Sequence, residues 1–233
     1  MHIHIPDGVL PIWLWIAGYV LALALVALAV RRVRGQERKG VLAAVMVAVM
    51  LVVQSIPLGV PYHINLSALT GIILGPWWAL ISILVTNAAQ ASFGHGGVTI
   101  VGLNTLVVWT EALIGYYLFA ALRRRLKSSR LRISTAAGAS TLIALVFSAF
   151  LVVGIVGISA IDPSEALGEH AGELLGVATP AQISLTIFAT LVLPIAIGGA
   201  LIEAVITALL VAYVLQVKAS LILGESDSCQ RST

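Results

Sequence analysis

The sequence predicts an all-α polytopic membrane protein with seven transmembrane helices, and three observations carry that prediction. Of the 233 residues, 60% are hydrophobic and only 10% are charged, with a mean hydropathy of +1.06. A water-soluble domain of that composition would expose far too much apolar surface. Several uncharged stretches reach about 18 residues or more, enough to cross a ~30 Å hydrocarbon core. The cations are also segregated: of 13 Lys and Arg, five lie in residues 31–39 and six in 123–132, leaving Lys218 and Arg231 near the end. Strand-like alternation does not persist, which argues against a transmembrane barrel.

Each crossing follows in turn. By the positive-inside rule the three basic places face the cytoplasm, so residues 10–30 run inward and the N-terminus lies outside. Residues 41–57 return outward. Residues 98–122 run inward to the second basic loop, so an even number of crossings must separate them from Pro57. Only residues 65–92 remain for this, and two short helices turning near Gly75-Pro76 satisfy the count, because Pro76 cannot continue the helix before it. A re-entrant hairpin buried in protein is equally compatible. Either arrangement brings His63 and His95 out on the outer side. The sixth crossing is 133–158. An outer acidic loop follows, with Asp162, Glu165, Glu169 and Glu173, whose His170 reads as part of a solvated loop helix. Residues 184–216 form the last crossing, with Pro194 a kink site and Gly198-Gly199 nearby. Residues 1–223 then constitute one membrane-embedded domain, including an N-terminal segment 1–9, and 224–233 form a polar cytoplasmic tail. Cys229, in that tail, is the sole cysteine, so neither a disulfide framework nor a thiolate metal site is expected.

The basic character does not indicate nucleic acid, because the cations sit beside membrane segments. Nor does the N-terminus have the basic n-region of a cleaved signal peptide. That matters for Met1 and His2. The Met1 amine and the His2 amide nitrogen close a five-membered ring on a metal, and the His2 amide and Nδ1 close a six-membered one. Three nitrogens then lie in one plane with one position open. Four nitrogens in a square plane suit Ni(II) and Cu(II) rather than Ca, Mg or tetrahedral Zn, and binding weakens as pH falls because the ligands must be deprotonated. The turn Ile5-Pro6-Asp7-Gly8 can fold this end back into the bundle.

Other polar residues stand in apolar surroundings. His63, in Pro61-Tyr62-His63-Ile64-Asn65, taken alone reads as a histidine satisfying a backbone carbonyl at a helix start; beside a Met1-His2 chelate it reads as the fourth in-plane nitrogen. In Phe93-Gly94-His95-Gly96-Gly97 the glycines permit left-handed backbone or close helix approach, with His95 either capping a helix or lining an outer cavity. Asn87, Gln90 and Asn104 read as hydrogen-bonding glue between helices. Glu111 and Glu203 fall inside predicted crossings, where carboxylates are costly and functional by default. They are read as protonated or as pairing with a hydroxyl such as Thr110 or Thr207, and not as transport ligands. Ala44 and Ala48 form a small-residue pair for helix contact, within the chain or with another membrane subunit.

The opening Met1-His2-Ile3, the turn Ile5-Pro6-Asp7-Gly8-Val9-Leu10-Pro11, the His63 segment and Phe93-Gly94-His95-Gly96-Gly97 with Asn104 downstream resemble the NikM/CbiM family. Its members are substrate-binding S components of energy-coupling-factor transporters for nickel or cobalt. The resemblance implies six S-component helices plus an extra N-terminal one, which agrees with the seven crossings counted above. It implies that Met1, His2 and His63 bind the metal, Ni(II) or Co(II) being the transported substrate and no organic cofactor being needed. His4, His95 and Asn104 are then candidates for supporting hydrogen bonds or for lining the cavity. Implied partners are a transmembrane T component, ABC-type ATPase subunits and a small accessory membrane subunit, in the cell membrane. In one respect the chain departs from the family pattern: a repeated His-Ile puts His4 where counting back from Pro6-Asp7-Gly8 expects the chelating histidine, whereas counting from the amine selects His2.

The expected function is therefore capture of Ni(II) or Co(II) for ATP-driven uptake. The sequence contains no Gly-x-x-x-x-Gly-Lys-Ser/Thr loop, so ATP hydrolysis is assigned to partner subunits and the chain is not expected to be an enzyme. A stand-alone secondary transporter or channel is the alternative, with only Glu111 and Glu203 to build a pathway. A membrane metalloenzyme would need an open metal position and a nearby base, and no His-Glu-x-x-His pattern is present.

Overall fold

The computed structural model describes residues 7–56, 63–94, 97–125, 129–166 and 183–223. Met1, His2, His4, His95, Glu169, His170, Glu173 and the tail 224–233 lie outside the described residues. What is described is almost wholly helical: α1 (Ile12–Arg32), α2 (Glu37–Gln54), α3 (Ser67–Leu74), α4 (Pro76–Ser92), a 3-10 turn Val98–Ile100 leading into α5 (Val101–Arg125), α6 (Arg130–Ser159), α7 (Leu185–Val217) and a single turn, α8 (Ser220–Leu223). Among the described residues four helical stretches are long and apolar enough to cross a membrane: Ile12–Arg32, Val98–Arg125, Arg130–Ser159 and Leu185–Val217.

Charge and turn chemistry set the helix ends. Arg31 and Arg32 close α1, and Arg123, Arg124 and Arg125 close α5, where cations complement the carbonyl end of the helix dipole. Gly75, at φ +82°, ends α3, and Pro76 opens α4 at once, as a residue without an N–H can at a first helical position. This is the turn expected from Gly75-Pro76. Ser184 caps α7, its Oγ accepting from the Ile187 N–H at 3.3 Å. That helix runs on through Pro194.

The two ends of the bundle differ in charge. At one end the Arg32 guanidinium sits 5.7 Å from the Trp77 ring, Lys39, Gly75 and Arg123 border a common cleft, and Arg123 donates to the Ile222 carbonyl at 2.8 Å. At the other end, Leu10, Ile100, Leu103 and Val152 form a buried cluster with Ile161 and Ala166 packed on it. Asp162 there draws the chain together: its Oδ1 accepts from Ser164 N–H and hydroxyl and from Ile183 N–H, joining the residues after α6 to those before α7.

Helices approach closely where side chains vanish. A Cβ at Gly102 of α5 would lie 2.7 Å from Tyr19 backbone in α1, and one at Gly71 of α3 would lie 2.3 Å from the Ala112 carbonyl oxygen in α5. In contrast, Ala44 and Ala48 are exposed on α2. The small-residue pair is not a contact with the chain's own described helices.

One element differs in form from its expectation. The leg before Gly75 is helical only in Ser67–Leu74, about 12 Å of rise. Residues 63–66 ahead of it are non-helical although Ile64, Asn65 and Leu66 are buried. The reason lies in two acids from distant helices.

Candidate metal-binding site

Buried backbone that leaves the helix must find other hydrogen-bond partners, above all at membrane depth. Here Glu203 of α7 supplies them. Asn65 N–H donates to its Oε2 at 3.2 Å and Leu66 N–H to its Oε1 at 2.9 Å. Glu111 of α5 takes the next donors: Asn65 Nδ2 reaches its Oε2 at 2.8 Å, and the Ser67 hydroxyl donates to the same oxygen. Asn65 Oδ1 in turn accepts from the Ser67 N–H at 2.9 Å, an Asx turn that starts α3. Both acids are 0% exposed. Leu66 lies in the left-handed region at φ 55°, a conformation costing a non-glycine residue of order 1–3 kcal/mol unless its surroundings enforce it. His63, half-buried, begins this described segment two residues before Asn65.

Glu111 does take a hydroxyl, but from Ser67 rather than from either expected threonine. Thr110 Oγ1 donates to its own helix, at Leu106 O, and the buried Thr207 Oγ1 has no hydrogen-bond partner among the described residues. Both threonines sit on the same helix as their acid, whereas Asn65 and Leu66 present backbone donors that Glu203 accepts. Sequence reasoning marked Glu111 and Glu203 as unusual but did not connect them to His63. The available signal was the polar pair Asn65 and Ser67 bracketing an apolar residue beside the histidine.

At the Asp7 end a third carboxylate does similar work in the open. Asp7 Oδ1 accepts from Thr99 N–H at 2.7 Å and from Thr99 Oγ1 at 2.6 Å, while Oδ2 accepts from Val98 N–H at 3.0 Å. These are orphan donors of the turn that opens α5. The Thr99 hydroxyl first, and the Thr99 N–H second, hold the Asp7 carboxyl below the usual aspartate range. Gly97 makes the approach possible, since a Cβ there would lie 2.5 Å from Asp7 Oδ1. Gly8 and Gly94 take φ +89° and +76°. Of the glycine readings from the sequence, the left-handed backbone holds at Gly94, and the close approach at Gly97 is to the Asp7 turn rather than to a helix. Tyr19 of α1 donates its hydroxyl to the Val98 carbonyl.

The structure thus brings the chain just after residues 1–6 against the chain just after His95. Asn104 is buried one turn into α5, and Asn87 Nδ2 donates to the adjacent Thr105 Oγ1 at 3.2 Å. Met1, His2, His4 and His95 themselves are outside the described residues. Among the described residues no three His, Cys, Asp or Glu side chains converge as a metal-ligand set.

This architecture has relatives. Residues 4–221 match the family model CbiM, the cobalt uptake substrate-specific transmembrane region. A putative fused nickel transport protein NikMN of Archaeoglobus fulgidus is 37% identical over 131 residues, 52% of this chain and 43% of that protein. A putative metal transport protein of Haemophilus influenzae is 33% identical over 120 residues, 50% of this chain and 57% of that one. The match therefore spans about half the length of these curated relatives. The fold is that of a solved transition metal transporter, with TM-score 0.71 at 22% identity over 99% of this chain and 100% of that one. A truncated transition metal transporter gives 0.66, also at 22% identity, over 93% of this chain and 99% of the other. With the family model covering nearly its whole length, the chain belongs to the CbiM family of cobalt uptake substrate-specific transmembrane regions.

Proposed function

We propose that this chain is the metal-capturing component of an uptake transporter for Ni(II), with Co(II) as the alternative substrate. In this reading the Met1 amine, the His2 amide nitrogen and imidazole, and His63 form a four-nitrogen plane around the ion. His4, His95 and Asn104 support or line the cavity. The chain crosses the membrane seven times, with the N-terminus and metal site outside and the C-terminus in the cytoplasm. ATP-driven release inward is the work of partners: a transmembrane T component, ABC-type ATPases and a small accessory membrane subunit.

The observation that carries the reading is the Asp7 tie. It fixes Asp7 beside Val98 and Thr99, and six residues of chain span at most about 20 Å. The rise along α5 from Val101 to Glu111, which holds the His63 segment, is about 15 Å. That reach supports a site shared by the N-terminal segment and His63. The chemistry requires a free Met1 amine, so intact-mass measurement of the purified chain is the first check. Nickel titration of His2→Ala and His4→Ala then separates the two histidines: the reading expects the first to lose affinity by about 10-fold or more and the second by less. The opposite order would move the chelate to His4.

A further inference from the structure

We propose that Glu203, assisted by Glu111, is a positioning residue for metal capture, holding the chain unwound so that His63 is presented to the ion. The proposal rests on the reading of His63 as a ligand. It begins from a local contradiction. Residues His63, Ile64, Asn65 and Leu66 include neither Gly nor Pro yet stay non-helical, the Asx turn of Asn65 starting α3 only at Ser67. A helix begun further up the chain would move its orphan N–H groups away from the two acids. Instead the chain spends two intramembrane carboxylates and one left-handed leucine to stay open. Such costs persist where the arrangement serves a site.

The two acids are not equivalent. Glu203 uses both oxygens, one for each of two successive backbone N–H groups. An amide cannot replace it, because the NH2 of glutamine would face an N–H donor. Glu111 accepts from two side chains, Asn65 Nδ2 and the Ser67 hydroxyl, rather than from the backbone. The carboxylates therefore hold the segment as the supporting groups around a metal hold its ligands, whose replacement typically costs 10–100-fold in affinity.

The test is nickel binding to the purified full chain, read by titration and by the visible absorption of the bound Ni(II), with thermal unfolding of the metal-free protein measured alongside. His63→Ala comes first: an unchanged affinity and spectrum would sink the metal-site reading itself. Given a loss there, Glu203→Gln is expected to weaken nickel by ~10–100-fold and to shift the absorption in the same way as His63→Ala. Glu111→Gln should lose less, and Glu203→Asp, which keeps two acceptor oxygens, should recover part of the loss. The double variant Glu203→Gln/His63→Ala should bind no more weakly than His63→Ala, because both changes act through one ligand. Parental affinity in Glu203→Gln, or losses that multiply in the double variant, would overturn the proposal. If Glu203→Gln does not fold, Asn65→Ala carries the test. It removes the donor to Glu111 and the acceptor for Ser67 N–H while leaving both acids in place, and a folded Asn65→Ala protein with parental nickel affinity would equally overturn the clamp.

Discussion

The Asp7 tie and the Glu203 clamp use one chemical device in two solvents. In each, a carboxylate accepts from two successive backbone N–H groups ahead of a helix: Val98 and Thr99 for Asp7, Asn65 and Leu66 for Glu203. Asp7 is exposed and Glu203 is 0% exposed. Water can replace Asp7 at little cost. It cannot reach the donors of Glu203, so the same two bonds carry far greater consequence when lost. The comparison separates two jobs at one proposed site, an exposed anchor for a reaching segment and a buried clamp for a fixed one.

The largest effect should come from Glu203→Leu. It leaves two buried N–H groups unsatisfied, which costs about 1–3 kcal/mol each. Denaturant unfolding in detergent should show a loss several times that of Asp7→Ala; equal losses would break the contrast.

Next comes packing beneath the clamp. Gly71→Ala drives a Cβ into the Ala112 backbone and should cost about 1–3 kcal/mol by overpacking. Gly198→Ala meets nothing within 4 Å and should be neutral or stabilising by up to about 1 kcal/mol. The pair checks, in one thermal-unfolding series, that α3 is pressed against α5 rather than resting in lipid.

Asp7→Ala should cost about 1 kcal/mol, the usual worth of a helix-end cap. Its signature is local: hydrogen exchange should quicken at Val98 and Thr99 while Asn65 and Leu66 stay protected. Nickel affinity should fall because residues 1–6 lose their fixed starting point.

The smallest effect is a pH dependence that the tie should not show. The Asp7 carboxyl is held below its ordinary range, so its contribution is complete above the unfolded pKa of about 3.9 and is lost only as pH falls through the lower folded value. Nickel binding should instead weaken as pH falls, because its nitrogen ligands must be deprotonated. Between about pH 7 and 5 the Thr99 amide resonance should therefore stay in place while the metal leaves. Joint loss would show that the tie depends on the metal.

Much of this contrast could be read from the chain, and the exposed half more easily. The turn through Asp7-Gly8 and the Gly94–Gly97 turn announce themselves in local chemistry, and the long helices follow from apolar length and cation placement. The Gly75-Pro76 turn was likewise legible, because Pro76 lacks the N–H a continuing helix needs. The buried half was not. Asn65 and Leu66 meet Glu203 across 138 and 137 residues, and no periodicity reports which backbone a buried acid will face. The non-helical stretch 63–66 is fixed by tertiary hydrogen bonds to Glu203 and Glu111 that no local pattern reports.

The central claim is that the N-terminal nitrogens and His63 together hold the transported ion. Isothermal titration of nickel into the purified chain, with and without one alanine placed before Met1, tests it most directly. The account predicts a loss of affinity of about 10-fold or more in the extended chain, because the amine no longer adjoins the His2 amide. Equal affinity in the two proteins would contradict it.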